Sequence, residues 1–356
     1  MSPEQISLLA ALGDNAVKAL AIREGSLVEI RADASAHEWA ESMAMSVETA
    51  GGIPFLNVVS LEHFRERILT LPVERLRVPP PFLMEMAEKV DAMIVIQRDW
   101  SELVRTSPPE KLAAWNQGMG TLVRRLEERR VPDCQIAHPD TASGESLSVT
   151  REELHRILEM ALTADLFEIQ KSAESFAAKL SVQESLEIVS GSEHRLFIQY
   201  SGRPVWRGDA KLRESCVINF PAGSVYFPPL ESSPEGSIYF EQWQDVKGLV
   251  LSFQNGRVLN VEADRNVESL KELLALHTGD KDRISHIGIG LNPCVSAYTG
   301  HTSLDECRAG AVFLALGENR YMGGENASTL NIDFVSQGCT VVVGEEVLVT
   351  NGKLAI

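Results

Sequence analysis

Apolar and polar positions along the chain follow two different rhythms, and the change between them falls near the middle. The first 24 residues carry apolar side chains at helical spacing, and "GSLVEIRAD" (Gly25–Asp33) is a short β-rich run ending in polar residues. "SAHEWAESMAMSVETAGG" then predicts an amphipathic helix from a Ser35 cap to the Gly51-Gly52 stop, and "IPFLNVVS" the next strand. Such a β-α-β unit predicts parallel strands joined by a right-handed connection. "VDAMIVIQR" (Val90–Arg98) and "DCQIAHPD" predict further strands, with helices over Glu110–Arg129 and Arg151–Glu168.

From about Ser185 the texture becomes short β runs separated by turn residues: "SLEIVSG", "HRLFIQYSGR", "SCVINFPAG", "SVYFPPL", "GSIYFEQ" and "GLVLSFQNGRVLNVEA". Asn255-Gly256 is the strongest hairpin signal, since that pair suits a type I′ turn. The expected fold is an open α/β domain with a parallel sheet over residues 1–184, followed by a β-rich α+β domain over 185–356.

Length agrees with two domains, because 356 residues exceed what one ordinary core supports. A formal net charge of −17 repels phosphate backbones and anionic lipid, so neither nucleic acid nor a membrane surface is an expected partner. No apolar run reaches the ~18–20 residues of a membrane span, and the N-terminus lacks the layout of a signal peptide, which together predict a cytoplasmic protein. Five widely spaced cysteines without a CxxC pair predict free thiols.

The common catalytic fingerprints are absent. The eight histidines form no HExxH pair, and there is no GxSxG, no GxxxxGK[ST] and no GxGxxG after a strand. What remains is an order of segments: "FPAGSVYFPPLESSPEGSIYF", "ISHIGIGLNP", "SLDECRAGAVFLALG" and "GGENASTLNIDF". In that order they resemble the C-terminal half of the aminopeptidase T/S family of thermophilic metallo-aminopeptidases. "LAIREGSLVEIRADASAHEWAESMAMSVETAGGIPF" and "PDTASGESLSVTREEL" resemble the family's first half more loosely.

That resemblance implies a homodimer and a site for two metal ions, and it also locates where this chain departs from the pattern. Ser224 stands where the family has a glutamate ligand, His286 where it has a second glutamate, and Phe313 where it has a histidine. The family's tyrosine falls on Arg320, with Tyr321 one residue out of register, and its HxD pair becomes Asn331 and Asp333. Two cations ~3.5–4 Å apart need bridging carboxylates, so a two-metal aminopeptidase is not expected from these residues.

The 2,5-dihydroxypyridine dioxygenases look like the same scaffold, with one iron on two histidines and an aspartate. In that comparison His286 and Asp333 match ligands and Asn331 does not. His301 and Asp305 lie close in the aligned order and are candidate replacements or helix caps; Cys294 and Cys307 are candidate nucleophiles or inert buried thiols. As isolated residues, His286 reads equally as a core histidine and Asp333 as a turn cap or a partner of Arg320. The aromatics Trp206, Tyr226, Phe227, Tyr239, Phe240 and Trp243 are where the family's cleft is lined, or are simply strand core.

Two functions follow as expectations. One is a non-hydrolytic pseudo-aminopeptidase without a cofactor that binds a peptide in the former cleft, as an accessory protein in peptide natural-product biosynthesis would. Its candidate ligand-binding residues are Ser224, Tyr226, His286, Phe313, Arg320, Tyr321 and Asn331. The other is a single-metal enzyme acting on a small aromatic ligand, with one Fe(II) or Zn(II) on His286 and Asp333. An active aminopeptidase with a rebuilt site ranks last.

Overall fold

The computed structural model describes residues 3–98, 100–139, 147–213 and 216–355, and the chain forms two compact units. The first comprises Met1–Thr141 with Ala210–Phe220; the second comprises Ala142–Asp209 with Pro221–Ile356. The expected boundary near 184/185 differs from this division in two respects. The helical segment after Arg151 belongs to the second unit, and "VINF" returns to the first. Part of "PDTASGESLSVTREEL", at 140–146, lies outside the described residues.

In the first unit the strand Leu27–Ala32 is flanked by Ile53–Val58 on one side and Ala92–Ile96 on the other. Asp133–Ile136 and Val217–Phe220 complete five strands, all parallel. Val217–Phe220 pairs there, although it follows a long excursion, because residues 217–220 meet the open edge of Asp133–Ile136 in parallel register. One face buries Val28, Ile30, Ile94, Ile96 and Ile136; Met93 and Val95 on the other pack against Ala87, Val90, Leu122 and Leu126. The cap of the second helical segment is Asp33, not Ser35: Asp33 accepts from the Ser35 N–H and starts a 3-10 turn that leads into His37–Thr49. Among the described residues no helix is long and apolar enough to cross a membrane.

The second unit begins with two helices where one was expected, Arg151–Leu162 and Leu166–Ser181. Asp165 restarts the helix by accepting from the Phe167 N–H. An eight-stranded antiparallel sheet follows, and it contains the anticipated hairpin: Asn255 and Gly256 both have positive φ (50° and 73°) between Val246–Gln254 and Arg257–Glu262.

A five-stranded antiparallel sheet completes the unit, in the order Asn331–Ser336, Val312–Gly317, Ile284–Gly290, Ser224–Phe227, Trp206–Arg207. Period-2 alternation sends Val225, Phe227, Ile287, Ile289, Leu314, Leu316 and Phe334 to one face, where they share a core with Ile188, Ile198, Ile238, Phe240 and Leu251 of the larger sheet. Phe227, Phe240 and Trp243 are therefore core, and Tyr239 stacks on His194 (6.0 Å). Of the six aromatics expected in the cleft, Tyr226 and its register partner Trp206 lie on the opposite face of the five-stranded sheet.

Candidate functional site

That opposite face collects the positions singled out in the sequence. Strand register places Tyr226 beside Gly288, Gly288 beside Phe313 and Phe313 beside Val335 in one row across the sheet. In the next row His286 pairs with Ala315 and Ala315 with Asp333. Alanine between them leaves room for the two longer side chains to meet above it: His286 Nε2 lies 3.2 Å from Asp333 Oδ1. Asn331, opposite Gly317, is one row further, and its amide donates to the Tyr321 hydroxyl at 2.9 Å.

A β-bulge between Ile284 and His286 aims the histidine. Ser285 is buried there, and its hydroxyl donates to the Glu318 carbonyl (2.7 Å) while lying 3.1 Å from His286 Nδ1. Since the hydroxyl proton is committed to Glu318, the serine oxygen accepts from Nδ1–H, which leaves Nε2 facing Asp333 and the pocket. The Nε2–Oδ1 contact is one of proximity, not alignment: Asp333 Oδ1 is shielded from solvent and has no hydrogen-bond partner.

Phe313 supplies an apolar floor. Its ring is 2% exposed and lies over Gly288, where any Cβ would fall 2.1 Å from the ring. Tyr226 and His286 stand 6.5 and 5.8 Å from it, centroid to centroid, and 5.7 Å from each other. Burial, with the negative field of Glu306 and Asp209, pushes the Tyr226 hydroxyl up to about 12.

Glu306 is the site residue that sequence reasoning missed. It follows the short helix Thr302–Asp305, which packs on the strand Asn331–Ser336. Glu306 is half-buried, and its carboxyl is raised well above the ordinary range, by burial first and then by the charges of Asp333 and Asp305. Neither Glu306 nor Asp333 has an arginine or lysine partner among the described residues. The available signal is the pair of adjacent acids Asp305 and Glu306 in the apolar stretch "SLDECRAGAVFLALG".

That first acid, Asp305, is committed to structure. Its oxygens accept from the Thr299 N–H (2.8 Å), the Thr299 hydroxyl (2.7 Å) and the Gly300 N–H (2.8 Å), so it holds a turn. The remaining candidates separate clearly. Arg320 is exposed and pairs with Glu318 at 2.8 Å, not with Asp333, and Tyr321 is the side chain that reaches the pocket. Ser224 shares the face but stands opposite Gly290, four residues along the strand from His286, which is roughly 14 Å at ordinary strand rise. Cys307 is buried, its thiol pushed up by burial and directed at the Pro221 carbonyl.

These residues do not fit a two-metal centre. Ser224 and Phe313 offer neither charge nor imidazole at two of the implied positions, and the Phe313 ring fills space that a ligand's metal would need. Among the described residues no group of three His, Cys, Asp or Glu side chains is arranged to hold a metal ion.

A parallel α/β unit with a two-sheet β unit that carries an acidic pocket beside a histidine is a metallopeptidase-type architecture with altered ligands. The chain belongs to the thermophilic metalloprotease (M29) family, whose model matches residues 9–338. Its fold is similar to that of wild-type AmpT from Thermus thermophilus: TM-score 0.77 at 18% identity, covering 98% of this chain and 99% of that one. It is also similar to 2,5-dihydroxypyridine dioxygenase from Pseudomonas putida, with TM-score 0.66 at 13% identity over 100% and 98% of the two chains. No curated protein shows significant similarity.

Proposed function

We propose that this protein is a non-hydrolytic member of its family that binds a peptide in the pocket above the five-stranded sheet. One observation carries the reading: Phe313, buried on Gly288 between His286 and Tyr226, makes an aromatic floor where the family resemblance implies a metal-binding imidazole. An aromatic floor with a few convergent polar groups suits binding of a side chain, and chemistry that needs two bridged cations has no support from Ser224, Phe313 and Asn331. Titration calorimetry with a panel of extended apolar peptides, beside an aminopeptidase assay on aminoacyl anilides with added Zn(II), Co(II) or Mn(II), tests it. The expected result is micromolar binding of some peptides and no turnover with any metal; turnover that Phe313→His leaves unchanged or lowers sinks the reading.

A second reading keeps one metal. His286 Nε2 and Asp333 Oδ1 lie 3.2 Å apart, with Oδ1 lacking a hydrogen bond, which favours a shared Fe(II) or Zn(II) in a single-metal enzyme acting on a small aromatic compound. About one equivalent of Fe or Zn in purified protein, lost in His286→Ala, establishes that reading over the first.

A further inference from the structure

We propose that the carboxyl ends of the parallel sheet in the first unit form a second ligand site, for an aromatic carboxylate, with Arg98 on the carboxylate and Trp100 and Phe64 on the ring. The site shares no residue with the pocket on the five-stranded sheet and does not depend on the peptide-binding reading.

Topology is the first ground. From Leu27–Ala32 the chain runs out to the edge strand Ile53–Val58 and comes back to Ala92–Ile96 on the other side of its starting strand. Strand order reverses between Leu27–Ala32 and Ala92–Ile96, and at such a point in an open parallel sheet the connections leave toward opposite faces and part at the carboxyl ends. Asp33 directly follows the first of these strands, and Arg98 lies two residues past the second.

An unused guanidinium fork is the second ground. Arg31 grips Glu29 side-on through Nε and Nη2 at 2.7 and 2.9 Å, Arg125 grips Glu88 at 2.7 and 2.7 Å, and Arg320 grips Glu318 at 2.8 and 3.0 Å. Arg98 uses Nη1 alone, which donates to the Val59 carbonyl at 2.9 Å and lies 3.8 Å from Asp33 Oδ2. Its Nε and Nη2 donate to nothing among the described residues, although the side chain is 12% exposed. Asp33 is tied in place by accepting from the Ser35 N–H (2.9 Å) and the Leu61 N–H (2.8 Å), so it does not turn to the empty fork. Burial lowers the Arg98 guanidinium, and the Asp33 charge does not offset it.

The rings are the third ground. The Arg98 guanidinium lies 5.1 Å from the Phe64 ring centre and 5.2 Å from that of Trp100, and the two rings meet edge to face at 5.2 Å. A guanidinium held against ring faces presents its edge, so an anion on that edge lies beside the same rings. Trp100 is 38% exposed and keeps apolar surface for a ligand. The helix Leu61–Thr70 carries Phe64 and Arg67 one turn apart, and Arg67 lies 5.2 Å from the ring of Trp115, which stands 5.7 Å from Phe64. Arg67 Nε is shielded from solvent without a hydrogen-bond partner, and the charge that acts on this guanidinium is that of Arg75, not of a carboxylate. Positive charge is thus gathered here in a chain of net charge −17.

The same surroundings select a carboxylate over a phosphate. Asp33 disfavours a doubly charged group beside it, and the Ser35 and Leu61 N–H groups that would help cradle a phosphate are already given to Asp33.

The test uses 3-phenylpropionate and N-acetylphenylalanine, each beside its neutral primary amide, together with adenosine monophosphate. Binding to the full chain is followed by titration calorimetry and ligand-observed NMR. The expected result is that the acids bind and the amides bind on the order of 10- to 100-fold more weakly, the loss of a charge-assisted bidentate contact, in a comparison that needs no variant. Arg98→Lys keeps the charge and loses the fork, so it weakens the acids by a similar factor and leaves the amides unchanged. Trp100→Leu, at an exposed position, weakens acids and amides together. A preference for 3-phenylpropionate supports the site with a free aryl acid as its ligand, and a preference for N-acetylphenylalanine supports it with a peptide carboxyl terminus.

Equal binding of acid and amide overturns the proposal, as does acid binding that Arg98→Lys leaves intact. Acid binding lost in Phe313→Ala and kept in Trp100→Leu overturns it by placing the acid on the five-stranded sheet. Tighter binding of adenosine monophosphate than of either acid overturns the carboxylate in favour of a phosphate, and the absence of binding by every probe at millimolar concentration overturns the site itself.

Discussion

The two faces of the five-stranded sheet are built from the same strands and obey opposite rules. Leu314 and Phe334 point to the core face and are 0% exposed, with Phe334 packed on Phe240 and Trp243 at 5.5 and 5.2 Å. Their immediate neighbours Phe313 and Asp333 point the other way, onto the face where Asp333 lies 3.2 Å from the His286 imidazole. Burial decides the first face. On the second, charges sit where folding alone would not place them, and cost of that kind persists where a ligand uses it.

The contrast breaks most sharply under substitution on the core face. Phe334→Ala should cost about 3–5 kcal/mol in urea unfolding, as large-to-small changes in packed cores do, while binding per folded molecule stays close to the native value. A loss below about 1 kcal/mol would mean that the two faces are not distinct in this way.

Gly288→Ala is expected next, at about 1–3 kcal/mol, because the new Cβ meets the Phe313 ring at 2.1 Å. Phe313→Ala in the same chain should remove that clash, so the double variant is less destabilised than the sum of the singles. Strict additivity would show that the ring does not rest on the glycine.

Protonation distinguishes the structural acid from the pocket acid. Asp305 is raised to about 7 by burial, against hydrogen bonds from Thr299 and Gly300 that lower it. The folded state therefore holds its proton more tightly than the unfolded chain, so this contribution to stability is full below about pH 4 and is lost as pH rises through 7. The stability advantage of wild type over Asp305→Asn should shrink between pH 4 and pH 8; an advantage that grows with pH would contradict the assignment.

Glu306 is raised in the same direction, again by burial first. Glu306→Gln should consequently raise the thermal midpoint at pH 8 and leave it unchanged at pH 4. A gain in stability at the expense of binding is the signature of a pocket group, and a loss of both would make Glu306 structural. The smallest effect belongs to Arg320→Ala: the guanidinium is exposed on Glu318, and neither stability nor ligand affinity should change measurably.

Much of the fold was legible because it rests on local chemistry. The β-α-β opening, the Asn255-Gly256 hairpin and the alternation of the later strands each follow from a few adjacent residues and were found where expected. Two misplacements are of another kind. Val217–Phe220 reads as one more short strand, and nothing within its four residues says that it joins a parallel sheet built by residues 27–136. The segment after Arg151 reads as one helix because Thr163–Asp165 breaks it without glycine or proline.

The sequence by itself determined that His286, Phe313, Asn331 and Asp333 belong to segments of one family pattern, that imidazole and carboxylate ligands are missing from it, and that one aspartate survives. Tertiary structure decided which of these residues meet. Strand register set His286 and Asp333 on either side of Ala315, the bulge at Ser285 turned the imidazole inward, and the turn at Arg320–Met322 brought in Tyr321 while leaving Arg320 outside. It also decided that Asp305 and Glu306, adjacent and chemically alike, differ in role. A helical step of one residue turns a side chain by about 100°, so one acid closes a turn while the next comes within electrostatic reach of Asp333, 27 residues away along the chain.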